Sequence, residues 1–187
     1  DFLKAVDRAG FGSLELWGAD DFSDGLDVYS TDPWERLRTI RDGVSRTSMI
    51  LTLAGQCLLG QAQYADDVAE YFVARSVENG IDTLRVYDAL NDPRNIETVA
   101  SAAKKRGARF EGAMVYAVSP AHSNGFFAGY AALLEKMGAD SVCVIDPERV
   151  LTPDDTSKLV AAVKGSCGLP ISVEVHTVGC ACAAAMA

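Results

Sequence analysis

One unit recurs along this chain and admits few folds: an amphipathic helix, a glycine, then a short apolar strand. Asp1 to Gly10 leads into Ser13-Leu14-Glu15-Leu16-Trp17, and Asp66 to Gly80 into Thr83-Leu84-Arg85-Val86-Tyr87. Ile96 to Gly107 leads into Phe110 to Tyr116, and Phe126 to Gly138 into Ser141 to Asp146. Each glycine supplies the left-handed residue that stops a helix and turns the chain back. Met49 to Leu53 and Ile171 to His176 fit the same rhythm as strands. Helix starts are marked too. Asp32-Pro33-Trp34-Glu35 has a capping Asp, a proline at the first helical position and a Glu at the third, and Thr152-Pro153-Asp154-Asp155 repeats the scheme. Strands separated by helices mean βα units and a parallel sheet.

The pattern gives six strands, whereas a closed (β/α)8 barrel has eight over roughly 250 residues. A doubly wound sheet is the structural competitor, although no Gly-x-Gly-x-x-Gly follows the first strand to support its dinucleotide-binding version. No linker or low-complexity tract interrupts residues 1–187, so a single domain is expected.

The net charge of -9 argues against nucleic acid or an anionic membrane surface as partner, since both require basic patches. No apolar run approaches the ~20 residues of a membrane-spanning helix. The amino-terminal residues lack the apolar centre of a signal peptide. They open without Met in the middle of an amphipathic helix, as expected of a fragment. Cys57, Cys143, Cys167, Cys180 and Cys182 are scattered in apolar surroundings, the expectation being buried, reduced thiols of a cytoplasmic protein.

The stretch from Gly80 to Asn95 carries the most chemistry. A buried strand, Thr83 to Tyr87, ends in Asp88, Asn91, Asp92, Arg94 and Asn95. In α/β barrels, ligands and chemistry sit at that end of the strands. Arg85 and Asp88 are candidates to bind substrate, or to pair with each other and satisfy burial. Asn91, Asp92 and Arg94 suit shaping of the following loop. Gln56, at another strand end, would contact a ligand or brace its loop. Glu174 and His176 lie two apart on a strand and share a face, an acceptable pair for a divalent cation, with Asp146 on the neighbouring strand as a third donor. His122 is expected as a solvated capping residue, and Ser119 has no evident His-Asp partner for nucleophilic catalysis. Trp17 and Trp34 are expected in packing, Trp17 near the barrel mouth. The acidic run from Asp20 to Asp27 lacks calcium-loop spacing and is expected as a solvated loop.

Several strings together resemble the carboxyltransferase domain of biotin-dependent enzymes: pyruvate carboxylase, oxaloacetate decarboxylase α subunit and transcarboxylase. They are Leu14-Glu15-Leu16-Trp17-Gly18, Asp32-Pro33-Trp34-Glu35-Arg36-Leu37-Arg38, Gly55-Gln56-Cys57-Leu58-Leu59-Gly60, Tyr64-Ala65-Asp66-Asp67-Val68, Asp88-Ala89-Leu90-Asn91-Asp92, Tyr116-Ala117-Val118-Ser119-Pro120-Ala121-His122 and Gly138-Ala139-Asp140-Ser141-Val142-Cys143. Order and spacing match from Asp1 to about Cys182. The resemblance implies an α/β fold of the (β/α)8 TIM-barrel type, with about six of eight βα units in this chain. It implies a biotin-dependent carboxyltransferase that moves a carboxyl group between carboxybiotin on a carrier domain and a keto acid such as pyruvate or oxaloacetate. It also implies a divalent metal (Zn, Mn or Co) and an oligomer with a biotin carrier protein or other carboxylase subunits.

The family's metal wall is altered here. The arginine that precedes Gly-Gln in the family is Ala54, and the metal-ligating lysine is Ile145. The family's His-x-His is Glu174-Val175-His176, and the Asp after it is Thr177. The family's first strand, with a metal-binding Asp, would precede Asp1. Two expectations follow: a carboxyltransferase with a degenerate metal site, or a catalytically inactive structural paralogue that assembles with an intact carboxyltransferase or biotin-carrier subunit.

Overall fold

The computed structural model describes residues 2–60 and 62–175. The chain divides into two compact units, Asp1–Val86 with Ile96–Arg109, and Tyr87–Asn95 with Phe110–Ala187.

The first unit carries strands β1 (Ser13–Leu14), β2 (Ser48–Leu53) and β3 (Thr83–Val86), and helices α1 (Phe2–Arg8), α2 (Ala19–Asp27), α3 (Pro33–Gly43), α4 (Asp66–Glu78) and α5 (Glu97–Lys105). The strands pair in parallel and in sequence order, with Ser13 opposite Ser48 and Thr52 opposite Arg85. Alternation sorts their side chains. Met49, Leu51, Leu53, Leu84 and Val86 share one face and are fully buried. Thr52, Thr83 and Arg85 take the other. Asp32 caps α3 as expected, accepting from the Trp34 amide (2.9 Å) with Pro33 in the first turn. Among the described residues, no bond from the Glu35 side chain returns to the Asp32 amide. Gly80 ends α4 at φ +117°, a backbone costly for any residue with a Cβ. Gly10, Gly107 and Gly138 share its positive φ.

The second unit carries β4 (Arg109–Val115), whose first residue belongs to the other unit, β5 (Ser141–Asp146) and β6 (Ile171–Val175), with helices α6 (Asn124–Lys136) and α7 (Pro153–Lys164). Ala113 faces Cys143, and Ile145 faces both Val115 and Glu174 across parallel ladders. α6 lies so close to β4 that a Cβ on Gly112 would meet Leu134 at 2.8 Å. Any larger residue there would have to displace the Leu134 side chain. Cys143 and Cys167 are buried thiols outside any disulfide, while Cys57 is only partly buried.

One expectation is overturned. The acidic run from Asp20 to Asp27 is helix α2, not a loop. Its Asp20 and Asp21 occupy the first turn, where negative charge complements the helix dipole, and the Asp21 carboxylate accepts from the Gly18 amide (3.2 Å). Phe22 packs on Trp17 and Trp34, and Gly25 lies against Pro33. Apolar residues four apart, Phe22 and Leu26, were the local signal that the aspartates masked. Among the described residues, no helix is long and apolar enough to cross a membrane.

Candidate functional site

In the first unit, Arg85 on β3 pairs with Glu15, which follows β1 (Nη1 to Oε2, 3.8 Å). The Glu15 carboxylate also accepts from the Thr52 amide at 3.1 Å. The Arg85 side chain is 12% exposed, so this charge is largely removed from water and depends on partners. Thr52 Oγ1, on the same strand face as Arg85, is buried without a hydrogen bond among the described residues.

Gln56 lies in a short 3-10 turn, Gly55–Cys57, after β2. Its amide donates to Asp66 and accepts from Gln63 (3.1 Å). Of the two roles open to it, loop bracing is the one its bonds describe.

In the second unit the Asp88 carboxylate accepts from the Leu90 and Asp92 amides (both 2.9 Å) and from Asn95 Nδ2 (3.0 Å). That closes the polar loop after β3. Asn91, at φ +56°, a conformation asparagine tolerates, bonds β4 through both ends of its amide. Its Nδ2 donates to the Val115 carbonyl (2.9 Å), and its Oδ1 accepts from the Val115 amide (2.7 Å). The Arg94 guanidinium hydrogen-bonds Asp92 and holds its carboxyl at about 2. The Tyr130 hydroxyl is buried without a hydrogen bond among the described residues. Burial, then the charges of Asp88 and Asp92, push its pKa up.

At the end of β5, Ile145 is buried with Ala113 and Cys143, and Tyr87 packs against them. Asp146 is fully buried, and its carboxylate accepts from the amides of Val150 (3.1 Å) and Leu151 (2.9 Å). It is a loop cap rather than a free donor. Glu174 stands beside Ile145 in the ladder, and His176 lies outside the described residues. The donor set implied for a divalent metal therefore does not fit the described residues. Isoleucine has no ligating atom, Asp146 is occupied, and no three His, Cys, Asp or Glu side chains converge among them.

Sequence reasoning passed over Glu111, a buried carboxylate on β4 accepting from Ser141 Oγ and Ser172 Oγ (both 3.1 Å). A charged residue inside an otherwise apolar strand was the available signal. It also missed the bond between Ser119 Oγ and His122 Nδ1 (2.7 Å). That pair is exposed, and Ser119 also accepts from the Ala121 amide (3.2 Å), so it shapes the turn ahead of α6.

Parallel βα units with charged and polar groups at the strand ends define a barrel-type α/β domain. No protein-family model matches the chain. It is 43% identical over 173 residues to a pyruvate carboxylase subunit of Methanocaldococcus jannaschii, covering 92% of this chain and 30% of that protein. It is 37% identical over 171 residues to the methylmalonyl-CoA carboxyltransferase 5S subunit of Propionibacterium freudenreichii subsp. shermanii, covering 91% of this chain and 34% of that protein. The carboxyl transferase domain of Rhizobium etli pyruvate carboxylase, solved with pyruvate, superposes with a TM-score of 0.93 at 30% identity, over 98% of this chain and 32% of that one. The chain belongs to this carboxyltransferase-domain family and has the fold of part of its (β/α)8-type barrel. The doubly wound alternative is set aside. The chain spans about a third of the length of these relatives.

Proposed function

We propose that this chain is a carboxyltransferase-like domain, residues 1–187, of a biotin-dependent carboxylase, decarboxylase or transcarboxylase system in the cytoplasm. Its substrate would be a keto acid such as pyruvate or oxaloacetate, with carboxybiotin on a carrier protein as co-substrate and other carboxylase subunits as oligomeric partners. The observation that carries this reading is the 43% identity to a pyruvate carboxylase component over 92% of the chain. Within it, Arg85, paired with Glu15, is a candidate to bind a substrate carboxylate. Gln56 and Asp88 set the loops beside the strand ends. The test is exchange of labelled carboxylate between carboxybiotin and pyruvate or oxaloacetate. Exchange that Arg85→Met abolishes supports the reading, and no exchange with either acid overturns it as an activity of this chain.

A second reading has its own observation. Ile145, packed among Ala113, Cys143 and Tyr87, stands where the family resemblance places a ligating lysine, and Ala54 where it places an arginine. These residues favour a degenerate metal site, with Glu174 and His176 left as a partial donor pair, and a structural paralogue that assembles with an intact carboxyltransferase. Co-purification with such an enzyme, with no bound Zn, Mn or Co by elemental analysis, supports it. Stoichiometric metal in the purified protein overturns it.

A further inference from the structure

The first unit contains a pocket of about 300 Å³ formed by α2, the turn after β2 and α4. Its walls are apolar: Phe22 and Leu26 on α2, Leu58 and Leu59, and Val68 and Phe72 on α4. Leu26 is 52% exposed, Val68 44% and Tyr64, also in the wall, 43%, so this face meets water among the described residues. Apolar walls with a few polar groups at one side are the ordinary make-up of a small-ligand site.

Two features distinguish it from an incidental gap. Leu58 holds φ +54°, ψ -113°, a strained backbone for a leucine. Bonds from the Ala54 amide to the Leu58 carbonyl (2.9 Å) and from the Leu58 amide to the Gly55 carbonyl (3.1 Å) keep it there, with its side chain buried in the wall. Second, among the described residues the one charged residue lining the pocket is Asp27. It closes the last turn of α2, where the helix dipole disfavours negative charge, and that turn has no basic residue. Asp27 makes no hydrogen bond or ion pair among the described residues.

We propose that this pocket binds a small arylalkyl amine, with its ring among Phe22, Tyr64 and Phe72 and its ammonium group at Asp27. The ammonium supplies the positive charge that Asp27 lacks, and aromatic faces attract cations as well as apolar bodies. α2 carries Asp20, Asp21, Asp24 and Asp27 and no basic residue, which opposes an anionic ligand.

The pocket has a built-in reporter. Phe22 and Phe72, which line it, contact Trp34 at 5.5 and 5.4 Å between ring centroids, and Phe22 contacts Trp17 at 5.9 Å. These are the chain's two tryptophans. Phenethylamine, 2-phenylethanol and 3-phenylpropionate are therefore titrated while tryptophan fluorescence is followed. The expected result is saturable binding of phenethylamine about tenfold tighter than of 2-phenylethanol, with 3-phenylpropionate the weakest. Asp27→Asn should bring phenethylamine to the level of 2-phenylethanol and leave 2-phenylethanol unchanged. Val68→Phe, filling the pocket, should remove both. Should that variant fail to fold by circular dichroism, Leu26→Phe reads the same volume from the opposite wall. Absence of saturation by phenethylamine, or equal binding of it by Asp27→Asn, overturns the proposal. So does undiminished binding by a folded pocket-filling variant.

Discussion

The strand faces of the two units are built differently toward their carboxyl ends. In the first unit, β2 and β3 present Thr52 and Arg85, with Glu15 closing the ion pair. In the second, β4 and β5 present Ala113, Cys143 and Ile145 as an apolar cluster, with Glu111, Ser141 and Ser172 near the strand starts and Glu174 on β6 beside Ile145. A family fold thus keeps one polar wall and one apolar wall. The first is organised around an ion pair, the second around side-chain packing.

The largest test of that contrast is Ile145→Lys. An ammonium set among Ala113, Cys143 and Tyr87 should cost about 3 kcal/mol, lowering the melting temperature by about 10 °C in calorimetry. A neutral or stabilising result would mean that the second wall still accommodates a lysine. Next come the two loop-closing aspartates. Asp146→Asn should cost about 2 kcal/mol in denaturant unfolding, and Asp88→Asn about 1 kcal/mol, since Asp146 is fully buried and Asp88 is not. Hydrogen exchange should speed up at Val150 and Leu151 in the first variant and at Leu90 and Asp92 in the second. The reverse order would remove burial as the reason. Smaller still, a double-mutant cycle of Arg85→Met with Glu15→Gln should return a coupling of about 1 kcal/mol. Zero coupling would make the polar wall a set of independent charges.

The smallest effect concerns acid stability in the first unit. Burial alone would raise the Asp7 carboxyl, but bonds from the amides of Thr47 (2.8 Å), Arg46 and Ser45 outweigh it and hold the group at about 2. A carboxyl lower in the folded than in the unfolded chain contributes stability that is fully present above the unfolded value, near 3.8. That contribution is lost as pH falls from there toward 2. Asp7→Asn should therefore flatten the stability profile within that window and leave its shape above pH ~5 unchanged. An unaltered acid limb would sink this assignment.

Much of the fold was legible in the sequence because its signals are local. Helix-ending glycines, capping Asp32 and Thr152, and alternating apolar strands act over a few residues, and the strands appear within a residue or two of where the pattern puts them. β1 is the exception, ending at Leu14 rather than Trp17. Trp17 is instead buried against Phe22 and Trp34. The site was less legible. Asp88 and Gln56 were singled out by position, but their bonding partners belong to loops whose shape no periodicity describes.

By itself, the sequence determined the βα rhythm, the family, and aliphatic residues at Ala54 and Ile145, because each is a property of residue type and short-range spacing. Tertiary structure alone decided that Arg85 meets Glu15, that the run from Asp20 to Asp27 coils into a helix over an aromatic cluster, and that Ile145 joins an apolar core. Those outcomes depend on which distant residues share a strand face or a helix wall, and only the folded chain brings them together.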